Sequence, residues 1–197
     1  MTSRHQLSAA SRVIVGSETD DRTLLERYAQ GDREAFATLV LRYQRPLYNA
    51  AFWILRNAED ASDVTQVVFM RVAERLDEYD PSHKFFSWIY RIAVNESLNL
   101  LRRNAREEAL DEDLEMPAAE SANPEWQLAE GQEAQRIRAA LLAMSTNDRT
   151  VLTLRHFSEC SYEEIAQILE IDEKTVKSRL HDARLRLRAL LADLRPH

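Results

Sequence analysis

Between Arg106 and Trp126 the sequence REEALDEDLEMPAAESANPEW cannot supply a hydrophobic core. It holds eight acidic residues against one basic, contains Pro117 and Pro124, and has few large apolar side chains. A segment of this composition repels itself and stays extended, as linkers do. The core must therefore form on either side of it. An N-terminal unit at 20–105, a linker at 106–124 and a C-terminal unit at 125–197 are expected. The charge of this stretch equals the formal −7 of the whole 197-residue chain, so everything outside it sums to zero. Charge has to be read segment by segment.

Both units read as helical. Three Gly and five Pro leave little turn material, and no segment alternates with period two for long. In the first unit helices are expected at 21–30, from the N-cap Asp32 to about Leu55 with a bend or break at Pro46, at 58–78, and at 85–104. The third must stop before Pro81. In the second unit PEWQLAEGQEAQRIRAALLAM reads as one amphipathic helix. Ser145 is the next N-cap, Ser161 and Glu164 form a capping box, and a last helix runs from after Asp172 to about Leu194. The expected fold is all-α: two helical domains joined by an acidic flexible linker. Residues 1–19 have no apolar stretch of the signal-peptide kind and read as a flexible leader. No run of residues approaches a membrane span, and a single Cys fits a reducing compartment. A soluble cytoplasmic protein without membrane insertion is expected.

The last two helices carry the clearest pattern. At 100° per residue Val176, Leu180, Ala183, Leu187, Leu191 and Leu194 form one apolar stripe. Lys174, Lys177, Ser178, His181 and Arg188 lie opposite, flanked by Arg179 and Arg186. From Lys174 to Arg188 there are six Lys or Arg and one Asp. A preceding helix with Ile165, Ala166 and Leu169 inward and a three-residue turn completes a helix-turn-helix, whose second helix enters the DNA major groove. The turn position that usually holds Gly is Glu170, where a left-handed backbone costs about 1–2 kcal/mol.

The fourth helix of the first unit also sorts into two faces. Phe86, Ile89, Ala93 and Leu100 make a core stripe. Trp88, Arg91, Asn95, Asn99 and Arg102 make a second row, with residue types that hold phosphates, read base edges and stack on bases. His83 and Lys84 sit in the short loop before it. The third helix differs: Ala61, Val64, Val68, Phe69, Val72 and Leu76 point one way, while Glu59, Asp63, Gln66, Met70, Glu74 and Asp77 recur on the other side with Val67 beside them. That acidic face would repel DNA, yet Met70 and Val67 within it offer apolar contact to a protein partner.

NAEDASDVTQVVFMRV, FFSWIYRIAVNESLNLLRR and SYEEIAQILEIDEKTVKSRLHDAR, in that order, resemble the successive regions of an extracytoplasmic-function sigma factor of bacterial RNA polymerase, over roughly 21–191. The resemblance implies three contact sets. Glu59, Asp60, Asp63, Gln66, Val67 and Met70 would bind core RNA polymerase at the clamp of its large β′ subunit. His83, Lys84, Phe86, Trp88, Arg91, Asn95, Asn99 and Arg102 would recognise the opened −10 element of promoter DNA. Lys174, Thr175, Lys177, Ser178, Arg179, His181 and Arg184 would read the −35 element. It also implies an anti-sigma factor as a further partner, and a linker that threads toward the polymerase active site in place of RNA. Two positions depart from the family pattern: Lys174 stands where Gly is frequent and Asp182 where a basic residue is frequent. Asp182 cannot favour phosphate but can accept from cytosine N4.

A stand-alone helix-turn-helix regulator is the chief alternative, and it leaves the acidic third helix without a role. A pure protein-binding adaptor leaves the basic last helix without one. An enzyme is not expected: there is no phosphate-cradling Gly loop, no Cys–His–acid constellation and no metal signature, and no cofactor is called for. Cys160 and His156 are four apart, which is two candidate ligands and not a site. Cys160 reads as core or helix-entry packing.

Overall fold

The computed structural model describes residues 19–110 and 132–193. Among them every regular element is helical. The first unit contains α1 (Asp21–Ala29), α2 (Arg33–Leu55), α3 (Ala58–Glu74) and α4 (Phe85–Leu110). The second contains α5 (Gln132–Ala143), α6 (Thr146–Leu152), α7 (Tyr162–Leu169) and α8 (Glu173–Asp193). No described helix is long and apolar enough to cross a membrane.

Local chemistry sets most of the ends. The carboxylates of Asp20 and Asp32 and the amide oxygen of Asn57 accept first-turn N–H groups of α1, α2 and α3. Ser145 accepts from the Asp148 N–H at the start of α6. The Ser161 capping box is complete, with Glu164 N–H donating to Ser161 Oγ at 3.1 Å and Ser161 N–H to Glu164 Oε2 at 2.8 Å. α2 runs through Pro46 without interruption, because the amphipathic pattern of its 23 residues outweighs one lost backbone bond.

Two expected bounds move. α3 ends at Glu74, and a 3₁₀ turn at Leu76–Glu78 replaces its last residues. α4 continues to Leu110, past the expected end at 104 and into the acidic stretch, since Arg, Glu, Ala and Leu are all good helix formers. Of the expected helix leading to Met144, α5 is the described portion; the remainder of that helix, the leader and the rest of the linker lie outside the described residues. So does Leu194. Val176, Leu180 and Ala183 of the α8 stripe are buried, whereas Leu187 and Leu191 are only partly covered.

The two units share one hydrophobic core. Leu39, Leu47, Ile54, Val68, Ile89 and Tyr90 from the first are continuous with Leu152, Leu154, Cys160, Ile165, Ile168 and Leu180 from the second. Trp53 of α2 stacks on Phe157 of the turn between α6 and α7 at 4.7 Å. α7 lies along α4.

Candidate nucleic-acid and protein-binding surfaces

α8 is anchored by its buried residues against α6 and α7, and this fixes what its other side presents. Lys174, Lys177, Ser178, Arg179, His181 and Arg184 are all exposed along it. Thr175 instead helps to cap the helix, because its N–H and hydroxyl both donate to the Asp172 carboxylate, at 2.7 and 2.8 Å. Those bonds hold the Asp172 carboxyl below its usual range. Lys177 is 3.5 Å from Glu173 and lies over the Tyr162 ring at 5.9 Å. Arg184 approaches His156 Nε2 at 3.4 Å. Arg186 pairs with Asp148 at 2.6 Å and so ties α8 to α6.

On α4 the expected row divides. Asn95, Asn99 and Arg102 are exposed, with Arg102 donating to Asn99 Oδ1 at 3.0 Å. Arg91 is half-buried. Trp88 does not stand on the surface: it is 9% exposed, set between Tyr79 at 5.3 Å and Phe85 at 5.9 Å. On the wheel it falls within the second row, and it is buried because the preceding turn supplies Tyr79 to cover it. Phe86 is half-buried against Tyr90 at 4.4 Å. The loop before α4 is ordered by its own polar groups: the Asp80 carboxylate accepts from Ser82 N–H at 2.8 Å, and the Tyr79 hydroxyl donates to the His83 carbonyl at 2.7 Å. His83 and Lys84 remain exposed. A cleft of about 150 Å³ opens here between His83, Trp88 and Arg91, and Gln167 of α7 forms its far wall.

α3 presents its acidic side outward. Glu59, Asp63, Gln66 and Met70 are exposed, Met70 to 61%, and Asp60 and Val67 are half-buried. Arg71, next to that face, is taken up by Glu96 of α4 at 3.1 Å. The surface is thus a ring of carboxylates around a bare thioether, held by the buried Ala61, Val64, Val68 and Val72.

One acidic helix with an apolar centre, one polar helix-and-loop surface and one cationic helix-turn-helix are therefore mounted on one core. The family model of sigma-70 region 2 matches residues 39–107, covering most of α2 with α3 and α4. That of sigma-70 region 4 matches residues 134–187, covering α5 to α8. The chain is 32% identical to the ECF RNA polymerase sigma factor SigW of Bacillus subtilis (strain 168), over 86% of this chain and 96% of that one. The chain belongs to the extracytoplasmic-function (ECF) sigma factors. The ECF RNA polymerase sigma-E factor of Escherichia coli (strain K12) is also 32% identical, over 86% of this sigma factor and 93% of that one. Among solved structures, CnrH in complex with the cytosolic domain of CnrY is 29% identical. It superposes with a TM-score of 0.68, over 89% of this chain and 99% of that one. The sigma factor RpoE of Bartonella quintana, in complex with the anti-sigma factor NepR, is 26% identical with a TM-score of 0.70, over 81% and 98%. As a sigma factor, the protein serves transcription initiation. The exposed cationic row of α8 was legible in the sequence; the burial of Trp88 and the capping role of Thr175 were not.

Proposed function

We propose that this sigma factor docks on core RNA polymerase through α3, reads a −35 element with the N-terminal half of α8, and captures the opened −10 element with α4 and its leading loop. Asp63, Gln66 and Met70 form the centre of the docking face for the β′ clamp. The observation that carries the reading is α8: an exposed cationic row at groove-entry position, braced from behind by three buried side chains and capped by Asp172. With Thr175 occupied at the cap, Lys174, Lys177, Ser178, Arg179, His181 and Arg184 remain as the contacts to −35 DNA.

Promoter opening follows from magnitudes. Unstacking duplex costs about 1.4 kcal/mol per base step. Capture of one flipped base returns about 1–3 kcal/mol. One α4 surface traps one or two bases, so it nucleates melting and the polymerase sustains the bubble. Trp88, being buried, acts here by stiffening the turn that carries His83 and Lys84, while Asn95, Asn99, Arg91 and Arg102 meet the strand. The reading assigns the protein no catalysis of its own, places it in the cytoplasm with a stress or envelope-response regulon, and gives it an anti-sigma factor as inhibitor. The solved relatives held by CnrY and NepR support that last assignment.

The test is transcription by purified core polymerase plus this protein on the DNA upstream of its own gene. A discrete transcript is expected, lost when Asp63 and Gln66 are both changed to Ala. DNA binding without polymerase, and no transcript with it, would establish a stand-alone regulator instead.

A further inference from the structure

α8 carries a carboxylate in the middle of its cationic row. Asp182 is the one acidic residue from 174 to 192. The buried Val176, Leu180 and Ala183 fix the rotation of the helix, and the residues opposite them are Lys174, Ser178, His181, Asp182 and Leu185, all exposed. Asp182 therefore stands in the outermost row, one turn beyond Ser178. It lies about 14 Å from the start of the helix at 1.5 Å per residue, inside the half that enters the groove.

A carboxylate among cations on a helix is ordinarily taken up by a neighbour three or four residues away. Here it is not. Arg186, four residues on, is drawn off to α6, where it lies 2.6 Å from Asp148. Asp148 is buried and is also held by the Ser145 hydroxyl at 2.8 Å, so that partner is fixed in place. Arg179, three residues before, makes no ion pair with Asp182 either. Among the described residues no hydrogen bond or ion pair reaches this carboxylate. The acids at the start of the same helix are different: Asp172 is bonded to Thr175, and Glu173 stands 3.5 Å from Lys177. Nor does the helix dipole favour an acid in the middle of α8, because that effect is confined to the first turn. An acid on a DNA-facing row, without a partner in its own protein, opposes the phosphates. Only a donor on the DNA itself offsets that.

Major-groove base edges supply such a donor in few places. Guanine offers N7 and O6 and thymine offers O4, and all three turn lone pairs toward a carboxylate. Adenine has an amino group, but its N7 acceptor stands beside it, and that pair is matched by an amide that both accepts and donates. Cytosine presents its N4 amino group with no acceptor of its own at that edge. We infer that Asp182 is a specificity-determining residue of α8, its carboxylate accepting from the N4 amino group of one cytosine in the −35 element. The inference rests on the assignment of α8 to that element. Other bases at the same position are rejected, because an acceptor facing an acceptor leaves a desolvated charge unpaired. Ser178 and Asp182 are about 6 Å apart along the helix axis, so the bases they face lie within about two pairs of each other at roughly 3.4 Å per pair. Lys177 and Arg179, on the flanks of the row, hold the backbone and set the depth at which the carboxylate meets the base.

The experiment compares three full-length proteins: native, Asp182→Asn and Asp182→Ala. Asn keeps the size and shape of Asp and turns one acceptor into a donor, the pattern that fits adenine N6 and N7. Asp182 is exposed and without a partner, so neither change disturbs the core, and circular dichroism checks this. Each protein is added to core RNA polymerase on a barcoded promoter library, built on the DNA upstream of its own gene with the −35 region randomised. Transcripts are counted by barcode. The native chain is expected to prefer cytosine on one strand at one position, by about fivefold to tenfold over the other bases. Asp182→Asn should move that preference to adenine at the same position. Asp182→Ala should level it, while the other −35 positions keep theirs. Unchanged base preferences in both variants overturn the inference. A uniform rise in output over all sequences with Asp182→Ala also overturns it, since the carboxylate would then be only a brake on phosphate contact. A native chain indifferent to the whole randomised region overturns the assignment of α8 itself. That outcome is distinguishable from the other two, in which preferences at the remaining −35 positions persist.

Discussion

Phe157→Ala tests whether the units are thermodynamically one body. Phe157 belongs to the second unit, is half-buried, and stacks on Trp53 of the first at 4.7 Å with an interplanar angle of 28°. Full removal of a buried Phe costs about 3–5 kcal/mol. Half burial brings the transfer part down, while an aromatic pair adds about 0.5–1.5 kcal/mol beyond area. The expected loss is about 2 kcal/mol, roughly a thirtyfold rise in the unfolded fraction. The assay is native-state amide hydrogen exchange, read at the most protected amides. Because Ile54, Tyr90, Leu152, Ile165 and Leu180 belong to one core, exchange should accelerate about thirtyfold at the buried segments of α2 and α4 as well as those of α6 to α8. Acceleration confined to α6–α8, with the protection of Leu47 and Ile54 unchanged, would refute the shared core and with it the energetic unity of the seam.

Two further perturbations read smaller groups. Burial raises the Glu164 carboxyl, but the hydrogen bonds from Lys84 and Ser161 outweigh it and hold the group below its ordinary value. Its folded pKa is thus depressed, so its contribution is present above the unfolded carboxyl range and is lost as pH falls through the folded value. Urea midpoints should fall below about pH 4.5, and Glu164→Gln should flatten that slope; an unchanged slope would sink the assignment. Burial pushes the Cys160 thiol up to about 12. A thiol reagent at pH 8 should leave the native chain unlabelled for hours and react within minutes in urea, and rapid native labelling would contradict the packing.

Features fixed within one helical turn were legible in the sequence. Asp32, Ser145 and Ser161 cap the helices they precede because capping needs only neighbours three residues on. The left-handed turn at Glu170 is equally local. The exposed acidic face of α3 followed from its period, since the buried Val64, Val68 and Val72 leave Asp63, Gln66 and Met70 no other side. What escaped was set by distant partners. Trp88 is buried by Tyr79, on a turn whose path the helical wheel does not contain. Arg56 donates to the Leu142 carbonyl and Arg149 to the Ile54 carbonyl, partners 86 and 95 residues away that no local pattern announces. The divided composition around the acidic stretch argued for two separate cores, and the hidden apolar sides of α2, α4 and α7 joined them.

The Trp53–Phe157 stack has a bearing on how long the protein survives in a cell. Separation of the units bares both rings and the neighbouring seam, which no longer share a covering. A chain opened away from polymerase then presents an apolar surface of the sort that proteases and chaperones sample. With the proposed docking on polymerase, turnover would be coupled to supply: sigma factor in excess of core enzyme would be the fraction open to degradation, and the pool would adjust toward the number of polymerases able to hold it.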